Sequence, residues 1–411
     1  MHVCVIGAGV TGVVSAYMLA RQGVQVTLLD KQSGPAQVAS YANGGQLSYS
    51  YVAPLAGPGV LPNVPGWLLR ADSPLRFHPR PDPQQWRWML AFMAACRADV
   101  AREATAQLLE LAFLSRRELH ALQAELKLDF HWKQNGKLVV FRSQAALEKA
   151  RELVQYQAAF GAEQFVLGRE AVLEKEPALA PLAGELAGAV YTPSEEVGDC
   201  HRFTVGLHQK LLALPGVTSH MNTAVHSLVR EGRRVVAART SAGDIAADAF
   251  VVAGGLGSVN LLRPLGYTPL LYGLKGYSLS VPASNGLAIS VTDYEKRIVY
   301  APIGQTLRMA AMIDIGVQGQ GTERQRLATL KRQVADTFPQ LNVAAAEEWV
   351  GERPATPTSK PVIGRSPVAD NLWLNIGQGA LGFTLACGSA TLLCRQLRGE
   401  PAGALDSAFG A

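Results

Sequence analysis

Glycines 7, 9 and 12, in Ile6-Gly7-Ala8-Gly9-Val10-Thr11-Gly12, close an apolar run that begins at His2, and Asp30 follows eighteen residues after the third of them. These residue types at this spacing suit the binding of a dinucleotide. Gly7 allows a tight turn, Gly9 lets a pyrophosphate come up to the backbone, and Gly12 lets a helix pack closely on a strand. The start of that helix offers free N–H groups and the positive end of a dipole to the phosphates. Asp30 can accept hydrogen bonds from an adenosine ribose, and an acid there favours a free 2′-hydroxyl, so FAD or NAD is expected ahead of NADP. The elements that must position these groups are a buried parallel strand from His2, a helix over Val13 to Gln22, and a second apolar strand over Val24 to Leu29.

Two more stretches of small residues bear on the same site. Ser40-Tyr41-Ala42-Asn43-Gly44-Gly45-Gln46 follows the second strand. Its paired glycines suit either a plain surface loop or a backbone lying against something flat and large, such as a flavin ring. Val251-Val252-Ala253-Gly254-Gly255 is another apolar strand that ends in small residues and returns the chain to the nucleotide fold. Distant segments therefore complete the first fold, and a sheet seeded at His131 is inserted into it.

Composition narrows the class. At 411 residues, 48% hydrophobic and 17% charged, the chain is long enough for two intertwined globular domains. A net charge of +5 is modest, and no basic run is interleaved with aromatics, which argues against nucleic acid. Cys4, Cys96, Cys200, Cys387 and Cys394 are odd in number and lack C-x-x-C spacing. That pattern points to a reducing compartment and away from a disulfide frame or a zinc site. The N-terminus lacks the basic lead of a secretory signal, and no apolar window reaches about 18 residues, so a cytoplasmic chain is expected.

Eight prolines between Pro54 and Pro83 predict an extended excursion without regular helix or sheet. Trp67, Leu68, Leu69, Arg70, Arg76 and Arg80 lie in it, followed by Trp86, Arg87, Trp88 and Met89. Either the tryptophans pack beneath a loop with the arginines in water, or residues 60–90 make a peripheral contact with the inner face of the plasma membrane. Helical spacing runs from Gln84 to Lys127, with Leu90, Met93 and Ala94 and then Leu108, Leu111, Ala112, Leu119 and Leu122. His131 to Arg142 alternates around Asn135-Gly136 and reads as a hairpin. Gln144 to Phe160 is amphipathic, and Asp199 reads as the N-cap of a helix from Cys200 to Leu212. Strand-like pieces follow at Leu274 to Ser280, Ile298 to Ala301 and Thr306 to Ile313, then a helix from Glu323 to Phe338.

Together with Gly198-Asp199-Cys200, Leu274-Lys275-Gly276-Tyr277-Ser278-Leu279, Gly351-Glu352-Arg353-Pro354-Ala355-Thr356-Pro357 and Asn375-Ile376-Gly377-Gln378-Gly379-Ala380-Leu381-Gly382-Phe383-Thr384, the opening motif and the stretch from Ser40 to Gln46 resemble the bacterial FAD-dependent D-amino-acid dehydrogenases. These are related to glycine oxidase, sarcosine oxidase and D-amino-acid oxidase. The resemblance covers nearly the whole chain, in the same order and at similar spacing.

The resemblance implies noncovalent FAD and a small D-amino acid whose Cα–H is aimed at flavin N5, which is catalysis by positioning. Arg353 is the implied carboxylate clamp, because a planar guanidinium takes both carboxylate oxygens. Arg308 is the runner-up, and Tyr277 an implied phenolic donor; Tyr51, Tyr272 and Tyr300 are expected to pack. Gln378 stands where family members commonly carry histidine, and a neutral amide donates a hydrogen bond without titrating. The glycine-rich turn before the helix from Phe383 to Leu397 is implied beside the pyrimidine end of the flavin, where the helix dipole would favour the charge of the reduced ring. The implied cofactor contacts are Gly7, Gly9, Val10, Thr11, Gly12, Asp30, Lys31, Ser40, Asn43, Gly44, Gly45, Gln46, Val225, Ala253, Gly254, Gly255, Gly377, Gly379, Ala380, Leu381, Gly382 and Thr384.

The expected architecture is α/β. A Rossmann-type FAD-binding domain is expected from residues 1–75, 145–265 and 350–411. An inserted mixed, mostly antiparallel β-sheet substrate domain with covering helices is expected from 76–144 and 266–349. The expected reaction is oxidative deamination to a 2-oxo acid and ammonia, with electrons passed to a quinone or another carrier. The alternatives are dehydrogenation of a secondary amino acid (D-proline, a hydroxy-D-proline, sarcosine) and a flavoprotein subunit of a heteromeric complex. An NAD enzyme is disfavoured because it would not require the Gly44-Gly45 and Gly377 to Gly382 loops.

Overall fold

The computed structural model describes residues 1–63, 73–283, 286–317, 320–401 and 403–411. The apolar runs at the start of the chain form the middle of a sheet ordered Val362–Arg365, Leu372–Ile376, Ala249–Val252, His2–Ile6, Gln25–Leu29 and Val217–His220. Every pairing in it is parallel except the first. Its central strands are apolar throughout because both faces are covered. Val3 and Val5 point into a core shared with the helices Val10–Ala20, Ala98–Leu126 and Gly382–Leu397. Cys4 and Ile6 point the other way, against Leu228, Val235 and Ala238 of a three-stranded meander.

The second sheet runs Glu347–Ala355, Tyr272–Pro282, Thr306–Ile315, Ile298–Ile303, Ser290–Asp293, Lys137–Phe141, Gly188–Thr192 and Phe165–Gly168. The short strand Leu75–Phe77 pairs in parallel with the far end of Thr306–Ile315. One face packs under the helix Gln320–Thr337, with Tyr277, Leu279, Met309, Leu330 and Val334 in one core. The opposite face meets the loop around Ala42 to Gly45, where Ser278 Oγ donates to the Ala42 carbonyl at 2.9 Å.

Several expectations change once the pairing is seen. The hairpin expected over His131 to Arg142 does not form: Lys137–Phe141 pairs with Gly188–Thr192 and Ser290–Asp293, both distant in sequence. Leu75–Phe77 is a strand despite the surrounding prolines, because Pro74 contributes only its carbonyl, to Ile313 N–H at 2.8 Å. The strands Phe165–Gly168 and Gly188–Thr192 and residues 350–355 of the strand Glu347–Ala355, expected with the cofactor domain, belong to the larger sheet. The helix Ala98–Leu126, expected with the substrate domain, packs Leu108, Leu111 and Ala112 into the core of Val3 and Val5. The helical pattern expected from Gln84 to Lys127 forms two helices, Pro83–Ala95 and Ala98–Leu126. In the first, Trp88, Phe92 and Ala95 face inward, while Leu90 and Met93 are exposed. Trp67, Leu68, Leu69 and Arg70 lie outside the described residues.

Candidate active site

The opening strand feeds Gly7, which has φ +114° and at which a Cβ would fall 2.5 Å from the Ala253 carbonyl oxygen. Only glycine fits there. A Cβ at Gly12 would lie 1.8 Å from the Gly7 carbonyl oxygen, so the helix Val10–Ala20 sits directly on the turn. At Gly9 the nearest atom to such a Cβ is Ser40 Oγ, 3.5 Å away, which leaves the backbone approachable. No side chain caps the helix at Gly9, and Val10 N–H donates to Ser40 Oγ at 3.1 Å. That leaves the next first-turn amides, those of Thr11 and Gly12, for an anion. The Asp30 carboxylate accepts from Ala8 N–H at 2.6 Å and Gln32 N–H at 2.8 Å, which fixes it at the edge of the loop. Thr223 N–H donates to the Asp30 carbonyl, which brings the strand beginning at Val225 to its side. Lys31 is exposed.

The second glycine pair is folded by its neighbours. Asn43 Oδ1 accepts from Gly45 N–H at 3.0 Å, and Gly198 N–H donates to the Gly45 carbonyl at 2.9 Å. The loop is thereby pressed on the larger sheet: a Cβ at Gly44 would sit 3.7 Å from Ala310 Cβ. The next side chain, Gln46, buries its Nε2 with no partner in the chain. Two residues on, Ser48 N–H donates to Thr384 Oγ1 at 3.1 Å, which ties this loop to the third glycine-rich turn. That turn leads from Gly377 to Gly382 into the helix Gly382–Leu397, whose N-terminus has no capping side chain. Gln378 is buried, donates Nε2 to Asn375 Oδ1 at 2.6 Å, and makes a β-bridge with Ala355. The strand Glu347–Ala355 therefore ends against the turn.

Arg353 lies on that strand two residues before Ala355. It pairs with Leu274, and its Nη1 donates to the Met312 carbonyl at 3.3 Å. No carboxylate lies within ion-pair distance of it among the described residues. Burial without an anion pushes its pKa down to about 10, still far above neutrality, so the cation persists in a site that asks for a negative partner.

The geometry separates the other three expected catalytic side chains. Tyr277 faces the opposite side of its strand, buried, and donates to Asp314 Oδ2 at 2.7 Å. Burial and that bond raise its pKa well above the ordinary value, and it does not reach the Arg353 side. Arg308 is on the loop-facing side but is bound to Asp199 at 3.2 Å and to the Asn43 carbonyl at 3.3 Å. It is cross-strand from Ser280, four residues or roughly 13 Å along the strand from Gly276, against which the Arg353 guanidinium lies, and its side chain is already engaged by Asp199. A cavity of about 120 Å³ opens at this end, between Tyr41, His201, Arg308 and Trp349. The Gln378 amide is turned to Asn375. Tyr51 lies under Lys137 Nζ, Tyr272 against Trp88, and Tyr300 against Phe338, all packing roles.

A buried acidic pair behind the site has no counterpart in the sequence reading. Glu195 accepts from Tyr49 N–H at 2.8 Å and Ser50 N–H at 2.7 Å, and Glu196 accepts from Tyr49 Oη at 3.0 Å and Trp132 Nε1 at 2.9 Å. Lys137, also buried, donates to Ser48 Oγ at 3.0 Å. Burial holds the Lys137 amine below its ordinary pKa and the Glu195 carboxyl above its own, each opposed by the other's charge. These groups fix residues 48–50, the continuation of the Gly44-Gly45 loop. The signal available beforehand was a lysine opening the apolar run Leu138 to Phe141 and two adjacent glutamates before Val197.

The donor set fits FAD. An open phosphate loop with an acid suited to a ribose leads to two glycine-rich turns, and the unpartnered Gln46 amide is a buried donor of the kind that the acceptors of a flavin ring would satisfy. All five cysteines are free and buried, and desolvation pushes the thiols of Cys4, Cys200 and Cys394 up to about 12, which makes them poor nucleophiles.

Comparison with known proteins agrees with this geometry. Residues 2–396 match the family model described as DAO, FAD dependent oxidoreductase. The chain is 51% identical over 406 residues to D-amino acid dehydrogenase 2 of Ralstonia nicotianae, covering 96% of this chain and 95% of the relative. It is 48% identical to D-amino acid dehydrogenase 2 of Pseudomonas aeruginosa, covering 97% and 95%. Glycine oxidase from Bacillus cereus has the same fold, with a TM-score of 0.76 at 21% identity over 100% of this chain and 98% of that one. A phosphate loop, two glycine turns and an orphan buried amide thus coincide with a match that runs almost end to end, and the chain belongs to the DAO family of FAD-dependent oxidoreductases.

Proposed function

We propose that this protein oxidatively deaminates small D-amino acids to 2-oxo acids and ammonia and passes the electrons to a quinone or another carrier. The observation that carries this reading is Arg353, a half-buried guanidinium without an anionic partner among the described residues, on a strand that ends at the Gly377 to Gly382 turn. The names of the relatives supply the D configuration.

Bound FAD, held noncovalently, supplies the acceptor for the hydride of the substrate Cα. The chain's own residues do the positioning. Arg353 takes the carboxylate, which fixes two of the three points needed to present one face of Cα. Gln46 and the amides of the Gly377 to Gly382 turn hold the ring side, and the N-terminus of Gly382–Leu397 places its dipole there. Thr11, Gly12 and Asp30 hold the phosphates and ribose. Gln378, engaged with Asn375, acts by shaping the turn.

The test is anaerobic addition of amino acids to the purified yellow protein. Flavin absorbance is expected to bleach with D-isomers and to stay unchanged with L-isomers. Bleaching by NADH and by no amino acid would overturn the reading, and bleaching only by D-proline or sarcosine would move the substrate to the secondary amines.

We further propose that the helix Pro83–Ala95 makes the peripheral membrane contact. Trp86, Leu90 and Met93 are spaced i, i+4 and i+7 on its outer side and are 44%, 62% and 41% exposed, with Arg87 also exposed. No helix among the described residues is long and apolar enough to cross a membrane.

A further inference from the structure

We propose that Gly276 and the β-bulge opposite it form the seat that aims Arg353, with Tyr277, Asp314 and Arg326 as positioning residues behind the bulge. This rests on Arg353 being the carboxylate clamp. Between Tyr272–Pro282 and Thr306–Ile315 the register pairs Lys275 with Asp314 but Tyr277 with Ala311. Gly276 alone therefore opposes Met312 and Ile313, which is a bulge in the second strand. A Cβ at Gly276 would lie 2.3 Å from each of Cζ, Nη1 and Nη2 of Arg353. Equal distances to three guanidinium atoms mean that the group lies face-on over the glycine. The Gly276 backbone is not in the left-handed region, so room, and not conformation, accounts for the missing side chain.

The bulge supplies the second constraint. Met312 has φ +65°, costly for a side chain of its size, and its carbonyl accepts the hydrogen bond from Arg353 Nη1. What holds Met312 there lies on the far face of the sheet. Asp314, fully buried, accepts from Tyr277 Oη at 2.7 Å and pairs with Arg326 at 2.8 Å; Arg326 Nη1 donates to the Ser73 carbonyl at 2.8 Å. A buried ion pair of this kind contributes little net stability, but it fixes geometry. Here it locks the residue two positions from the carbonyl that orients the clamp.

The test uses the FAD-loaded enzyme, with benzoate as a carboxylate probe followed by flavin absorbance, alongside D-amino-acid kinetics. Gly276→Ala is expected to raise the benzoate Kd and the substrate KM about tenfold or more while kcat changes less than about threefold and flavin content is unchanged. In an Arg353→Lys background, which has no guanidinium to collide with, the same substitution is expected to cost less than about threefold, and this coupling is what a purely structural role would not produce. Asp314→Asn, nearly isosteric, is expected to show the same coupling and serves if the alanine variant does not fold. Wild-type benzoate affinity in Gly276→Ala, or equal losses in both backgrounds, would overturn the inference while leaving the clamp in place. Benzoate binding that survives Arg353→Ala would remove the clamp and this inference together.

Discussion

At the scale of single residues the site turns on one charge. Arg353 is half-buried and lacks an acidic neighbour among the described residues, so in the proposed role an incoming carboxylate would gain a bidentate ion pair there. Arg353→Ala is expected to raise the KM for a D-amino acid about a hundredfold, roughly 3 kcal/mol, with FAD retained. Loss of FAD with an intact KM would show that the residue belongs to the cofactor. The pH dependence has a definite sign. Burial lowers the folded pKa to about 10, so the cation is present below that pH and is lost above it. Benzoate affinity should therefore be flat from about pH 7 to 9 and weaken only as the pH passes that value; a titration inside the neutral window would assign the binding to another group. Arg308 differs from Arg353 in being already engaged by Asp199, a distinction that sequence spacing does not carry because Asp199 lies on another element.

At the scale of elements, what was legible in the sequence was whatever depends on local periodicity. The opening strand, its glycines, the helix after them, the Asp199 cap, which accepts from Arg202 N–H at 2.9 Å, and the C-terminal helix at Gly382–Leu397 all sit where apolar spacing and capping chemistry place them. What was not legible depends on distant partners. Lys137–Phe141 looked like half of a hairpin because its true neighbours are some 50 and 150 residues further along the chain. The inward face of Pro83–Ala95 depends on a distant partner too: Trp88 is drawn in by a bond from its Nε1 to the Ala355 carbonyl at 2.8 Å, which no helical pattern announces. The Lys137–Glu195 pair is the element-scale consequence with the clearest test. Ser48 stands between the two groups, and Glu195→Gln, which leaves the buried ammonium without the nearby negative charge, is expected to lower the melting temperature by several degrees. Adding Lys137→Met should return most of that loss. An unchanged melting temperature in the single variant would mean that the pair does not hold residues 48–50 in place.

At the scale of the whole molecule, the helix Pro83–Ala95 links two requirements. Its inner side touches the carbonyl of Ala355, the residue that bridges to Gln378 in the third glycine turn. Its outer side carries the exposed Trp86, Leu90 and Met93. A single helix, about 10 Å across, thus separates the strand end beside the glycine turn from a surface suited to a bilayer headgroup region. An enzyme that hands electrons to a lipid-soluble carrier would place its site close to the membrane in this way, with Trp86 at headgroup depth and Arg87 meeting anionic lipid. Flotation with anionic liposomes is expected to carry the protein upward at low salt and to fail at high salt or with neutral lipid. Replacing Trp86, Leu90 and Met93 together with glutamine should leave amino-acid reduction of the flavin intact and abolish flotation. A wild-type protein that stays in the soluble fraction, or a triple variant that floats as well as wild type, would remove the membrane from this account and leave the electrons to a carrier that docks from solution.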